Sequence, residues 1–214
     1  MAPSPASVLG VPFINAMRES YPDVRLHLVE SLSGNLERMI NTRQLDLAIV
    51  FQQEKILRWS ARPVLEERLF LIGTHALLAS LPDDPVSPDQ LTTLPLIMPS
   101  QGHGLRGRLE TVCQQHNLSV EVVADIDGLA LLMQAVRSGL GATLQPGAAI
   151  SHLDHQALRV IGIANPVLSR PNFLVSLSDD ELTPAGLAAR VILSKVMRQL
   201  VESDRWPGAT LYVN

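Results

Sequence analysis

VEVVADIDGLALLMQAVRSGLGATLQP, residues Val120 to Pro146, carries a complete α/β unit within 27 residues. A β-branched run opens it, a helix starts near Asp127, Gly139 stops that helix, and a second short strand runs to Pro146. The pattern is a strand-helix-strand unit. On the helix, Leu129, Leu132, Met133 and Val136 recur at helical spacing, while Ala130, Leu131 and Ala135 carry apolar surface around much of the remaining circumference. One sheet covers only one such face; a helix of this kind lies deep in a large core or faces another chain on its second side, and the second is expected here.

The same grammar occurs earlier. VRLHLVE (Val24 to Glu30) alternates as a strand does, SGNLERMINTRQ reads as a helix with Leu36, Met39 and Ile40 on one face, and LDLAIV (Leu45 to Val50) reads as a buried strand. Two such units in one chain predict an α/β protein of two lobes with a cleft between them.

Working outward, Ser4, Pro5 and Ser7 precede a helix to about Ser20, with Leu9, Phe13, Ala16 and Met17 inward and Tyr21-Pro22 as its stop. In a wound α/β lobe the first helix follows a strand, so the sequence reads as a chain whose first strand and upstream segments have been removed. After Leu45 to Val50 come Pro63-Val64-Leu65 and a strand at Leu69 to Ile72, broken by Gly73. The proline-rich loop that follows, a one-turn helix and a strand at Leu96 to Met98 are where the first crossing between lobes is expected. A helix from Leu105 to Asn117 turns Leu109, Val112 and Cys113 inward. RVIGI is a strand, Asn165-Pro166 and Arg170-Pro171 bracket the return crossing, and NFLVSLS is a strand. Thr183 caps a last helix, Pro184 to about Glu202, with Leu187, Val191, Ile192, Lys195, Val196 and Leu200 at helical spacing.

Composition narrows the function classes. With 214 residues, 46% hydrophobic and 18% charged, the chain can bury a sizeable core. A net charge of -4 with scattered Lys and Arg lacks the basic footprint of a surface that grips phosphate backbone, so DNA binding by this chain itself is not expected. The single Cys113 forms no internal disulfide, which fits a reducing cytoplasm, and no run reaches the roughly 18 to 20 apolar residues of a membrane span.

GHGLRG (Gly102 to Gly107) matches G-x-G-x-x-G, but Pro99-Ser100-Gln101 separate it from the preceding strand, where a dinucleotide fingerprint needs its first glycine at the tight turn. No nucleotide cofactor is expected. Backbone N–H groups of Gly102 to Leu105 at a helix start, with Ser100, His103 and Arg106, suit an anion such as a carboxylate; a glycine loop that only caps the helix is the other reading. Ser4 and Ser7 at the start of the first helix either satisfy its unpaired N–H groups or reach a ligand. His152 and His155 lack a third ligand for a metal, and no G-x-S-x-G, C-x-x-C or P-loop anchors catalysis, so neither an enzyme nor a metal site is expected.

Taken in order, the segments from Pro12-Phe13-Ile14, Tyr21-Pro22-Asp23-Val24, VRLHLVE and Gln44 to Ile49, through Pro63-Val64-Leu65, Leu94 to Ile97 and Leu105-Arg106, to Val136 to Ala142 with Pro146, carry a resemblance. The chain resembles the effector-binding domain of LysR-type transcriptional regulators, and within them the nitrogen-assimilation type. The resemblance implies an α/β, type II periplasmic-binding-protein-like fold of two Rossmann-like lobes, lobe I from residues 1–73 plus 169–214 and lobe II from 74–168, with a small, anionic effector in the cleft. It places effector contacts at Ser4, Ser7, Ser31, Phe51, Ser100, Gln101, His103, Gly104, Ile126, Gln145 and Pro146. It pairs the helix of residues 34–44 with that of 127–138 across a homodimer, through Leu36, Met39, Ile40, Leu131, Met133 and Ala135, with a tetramer open for a longer protein. The family's winged helix-turn-helix is absent here, so DNA is a partner only of a longer parent protein. A solute-binding protein of a transporter shares this architecture and is the alternative.

Overall fold

The structure is a computed structural model that describes residues 1–51, 60–83, 85–101, 103–151, 157–164 and 168–212. The chain divides into two compact units, Met1–Glu67 with Arg170–Asn214, and Arg68–Ser169. The outward crossing therefore falls inside a strand, not in the proline-rich loop after Gly73. That strand, β2, runs unbroken from Ser60 to Thr74, with Gly73 closely packed inside it: a Cβ there would lie 3.1 Å from the Leu78 side chain. The return falls at Ser169/Arg170, whereas Asn165 and Pro166 lie outside the described residues.

In the first unit, α1 (Pro3–Ser20) buries Val8, Leu9, Phe13 and Met17 and packs against α5 (Pro184–Glu202). Thr183 caps α5, its Oγ1 accepting from the Gly186 N–H at 3.1 Å. Ile192, Val196 and Leu200 face inward as expected, but Val191 faces solvent, since the inward stripe runs through Ala189, Leu193 and Met197 instead. α2 (Ser33–Asn41) sits on β1 (Leu47–Val50), which pairs antiparallel with β7 (Ser169–Ser176), Leu47 opposite Ser176 and Val50 opposite Phe173. β7 lies between β1 and β2, and β8 (Ala209–Leu211) adds to β2 opposite Leu65 to Glu67.

The expected strand at Val24 to Glu30 is corrected by the structure. Among the described residues the segment is extended but joins no ladder; its backbone meets Met1, whose N–H donates to the Val29 carbonyl at 2.6 Å and whose carbonyl accepts from the Ser31 N–H at 3.2 Å. Alternation reports an extended backbone, and a strand further requires a hydrogen-bonded neighbour.

The second unit is built around the stretch from Val120 to Pro146. Parallel strands β3 (Pro95–Met98) and β4 (Glu121–Asp125) lie beside α4 (Leu129–Arg137), which leads to β5 (Thr143–Pro146). β5 and β6 (Leu158–Gly162) flank the second half of β2, pairing at Leu71↔Leu144 and Leu71↔Ile161. α3 (Gly104–Gln115) buries Leu105, Leu109, Val112 and Cys113 in a core shared with Leu71, Leu96 and Leu144. At Gly141 the chain passes so close to β3 that a Cβ would lie 2.7 Å from the Pro95 carbonyl oxygen; hence the glycine there.

Candidate functional site

Two short periodic patterns put charge where apolar side chains belong. Along β2, Leu65, Glu67, Leu69 and Leu71 share the buried face, and along β7, Arg170, Asn172 and Leu174 do the same. Arg170 binds Glu67 through a forked pair, Nε and Nη2 donating to one carboxylate oxygen at 3.0 and 2.9 Å. The Asn172 amide donates to that same oxygen at 3.0 Å, and the Trp206 indole N–H donates to the other at 2.8 Å. Phe51 covers the guanidinium, its ring centroid 3.5 Å from the Arg170 Cζ.

The network ends on Ser4. Its hydroxyl accepts from Arg170 Nη2 at 2.6 Å, and the residue is only 6% exposed. The choice between capping and reaching a ligand is thereby answered in part: the N-cap of α1 is Ala2, with no side-chain cap, and Ser4 Oγ is held by the guanidinium. Arginine only donates, so the Ser4 proton is not used in this bond, and among the described residues no acceptor takes it. Asn172 Oδ1 is likewise buried with no partner among the described residues.

The other expected contacts on this unit are spread out. Ser7 donates to the Ser4 carbonyl at 2.7 Å, one helical turn away. Ser31 is half-buried and its hydroxyl accepts from Asn35 at 3.2 Å. A separate groove of about 220 Å³ runs between residues 24–29 and 44–49, floored by Phe13, Ala189 and Leu193; neither Ser4 nor Phe51 lines it. Of the sequence-expected contacts on this unit, the structure brings together Ser4 and Phe51, through Arg170.

On the second unit the expected anion cradle is filled by the protein itself. The Ser100 N–H and hydroxyl donate to one oxygen of Asp127 at 2.9 and 2.8 Å, and the hydroxyl lies 3.1 Å from the other. His103 is the N-cap of α3, its Nδ1 accepting the Leu105 N–H at 3.2 Å. Arg106 is held by Glu110 and Asp125 at 2.8 and 3.2 Å and so is not available to the loop. Gln101 is exposed and Gly104 half-buried, while Gly102 lies outside the described residues. Ile126 donates its N–H to the Met98 carbonyl at 2.8 Å, and Gln145 and Pro146 are buried in β5. His152 and His155 also lie outside the described residues, and no group of three metal-ligating side chains occurs among those described.

The Ser100 N–H, and then its hydroxyl, holds the Asp127 carboxyl below the usual value of 3.8. A depressed carboxyl contributes stability above its unfolded value and loses it as pH falls through the folded one. In an acid titration followed by NMR, the Ser100 amide resonance is expected to move with a midpoint below 3.8, and Ser100→Ala to shift that midpoint upward. A midpoint at or above 3.8 in the unaltered protein contradicts the contact.

The apolar residues expected at a dimer interface need a correction. Leu36 and Ile40 pack with Ala48, Val50 and Val175, and Met133 and Ala135 pack with Ile72 and Ile97, so all four are buried in the cores of their own units. On α4 the inward stripe takes in Met133 and Ala135 with Leu132 and Val136, whereas Ala130 and Leu131 are exposed. Met39 is half-buried, and Leu131 stands out at 59% exposed.

Against this geometry, the model of the LysR substrate binding domain family matches residues 1–198. The chain belongs to that family. This LysR-type domain is 26% identical over 210 residues to the nitrogen assimilation regulatory protein Nac of Escherichia coli K12, covering 94% of this chain and 65% of that protein. It is 27% identical to Nac of Klebsiella aerogenes, covering 92% and 64%. It thus spans just under two thirds of the length of these relatives. Among solved structures, the CcmR regulatory domain of Synechocystis PCC6803 in complex with 2-PG superposes with a TM-score of 0.81 at 17% identity, covering 93% of this chain and 95% of that one. The effector-binding domain of QuiR in complex with shikimate gives 0.79 at 15%, covering 92% and 94%. The fold is therefore α/β of the type II periplasmic-binding-protein-like kind. No helix among the described residues is long and apolar enough to cross a membrane.

Proposed function

We propose that this domain binds a small carboxylate or comparable acceptor-bearing effector at Ser4, and that occupancy controls DNA binding by a further part of a longer LysR-type regulator. The observation that supports this reading is the buried Ser4 hydroxyl, anchored by Arg170 and holding an uncommitted proton. A donor desolvated and pre-oriented in this way gains from a ligand acceptor what water no longer supplies. Curated relatives that match are transcriptional regulators, which favours this reading over a transport protein. Ligand binding acts by preferring one of two conformations, whose balance the longer protein reads at the DNA.

Ser4→Ala tests the site. A hydrogen bond to a charged ligand group is worth about 1.5–3 kcal/mol, so a carboxylate that raises the melting temperature is expected to bind at least ~10-fold more weakly to the variant. Equal affinity of both proteins removes Ser4 from the site.

The domain is further proposed to form a homodimer in which Leu131 on α4 faces the partner. Leu131→Glu is expected to shift the sedimentation of the domain toward monomer while leaving its far-UV circular dichroism unchanged, because the exposed side chain supports no core of its own. An unchanged dimer fraction excludes Leu131 from the interface.

A further inference from the structure

The geometry points to Arg170 as a positioning residue that sets the ligand class of the Ser4 site: it makes the site select acids over their uncharged counterparts. This rests on the reading of Ser4 as an effector contact. A serine hydroxyl offers one donor and two acceptor positions, and in isolation it serves a ligand donor or a ligand acceptor equally well. Here the choice is weighted toward donation: Arg170 Nη2 takes one of the two acceptor positions of Ser4 Oγ at 2.6 Å and leaves its proton uncommitted. Because the bond comes from a guanidinium, it draws electron density from the oxygen and strengthens the remaining O–H as a donor, the more so where water is excluded.

Arg170 is itself over-determined. Glu67 grips Nε and Nη2 together, Phe51 lies over the plane, and Arg170 and Glu67 are 3% and 0% exposed. The role of Glu67 is double. It neutralises the guanidinium, so Arg170 is not itself a free anion receptor, and it fixes the fork so that Nη2 is directed at Ser4. Lysine keeps the charge but not the fork: one ammonium on a flexible stem does not reproduce a planar group that holds Glu67 with two N–H bonds and also meets Ser4. Phe51 accordingly serves the site by clamping the guanidinium as well as through any direct contact.

The test uses shikimate, malate, citrate and glycolate as probes, each paired with its methyl ester, titrated by calorimetry into the unaltered domain, Ser4→Ala and Arg170→Lys. The unaltered domain is expected to bind at least one acid about tenfold more tightly than its ester. Arg170→Lys is expected to bring that preference below about threefold while ester affinity stays within about twofold. A merely structural role for Arg170 weakens acid and ester alike, and that outcome overturns the proposal, as does a variant that keeps the full preference. In both cases loss of binding in Ser4→Ala leaves the effector reading standing. Should Arg170→Lys not fold, the neutral pair Glu67→Gln/Arg170→Gln replaces it, with the same expected loss of preference. If no acid in the set binds the unaltered domain, both the effector reading and this proposal are refuted.

Discussion

Glu67→Ala is expected to destabilise the first unit by about 3–5 kcal/mol, read as a shift in a urea unfolding curve. The cause is not the loss of an attraction alone. Removal of the carboxylate takes from the Arg170 guanidinium, 3% exposed, the acceptor of its Nε and Nη2 bonds, and it strips the Asn172 amide and the Trp206 indole of theirs. The double variant Glu67→Leu/Arg170→Met is expected to recover much of the loss, since it buries no charge at all. A single variant that costs under about 1 kcal/mol would mean that water reaches this cluster, against the burial seen here. Stability and function separate cleanly in this pair: the double variant folds, yet Ser4 has lost the group that orients it.

Trp206→Ala is expected to cost about 3–5 kcal/mol, the range for removing a large buried aromatic side chain. Trp206 is 1% exposed and sits between the end of α5 and β8, so it ties the last described strand to the unit while its N–H holds one oxygen of Glu67. Trp206→Phe separates the two contributions. It keeps most of the packing and leaves a buried carboxylate oxygen without its donor, for an expected cost of about 1–3 kcal/mol. Calorimetric melting of the two variants ranks them; a Phe variant as unstable as the Ala variant would assign the whole effect to the hydrogen bond.

Local signals in the sequence mark most of the helices. Thr183-Pro184 announces α5 because a cap and a proline at the first turn act within four residues, and Tyr21-Pro22 stops α1 for an equally local reason. What depends on distant partners was not legible. The segment Val24 to Glu30 alternates like a strand, but whether it joins a ladder is decided by a neighbour that its own residues do not encode. The Ser100 loop carried the right donors for an anion, and nothing local shows that Asp127 reaches back to take them.

The family resemblance makes Ser4 and Phe51 expected contacts, but it does not show their link through Arg170. The signal was present in two places, as Glu67 within the alternation Leu65, Leu69, Leu71 and as Arg170 and Asn172 two apart on one strand face. A charge at the inward position of a strand demands a partner. That the partner stands 103 residues away is information carried by the fold alone.

The most direct measurement is a backbone and arginine side-chain NMR titration of the domain with shikimate, malate, citrate and glycolate. At least one of them is expected to shift the Ser4 amide and the Arg170 Nε–H resonance together, at one common affinity, while residues lining the groove at 24–29 and 44–49 stay still. Shifts confined to that groove, with Ser4 and Arg170 unmoved, would contradict the effector site at Ser4.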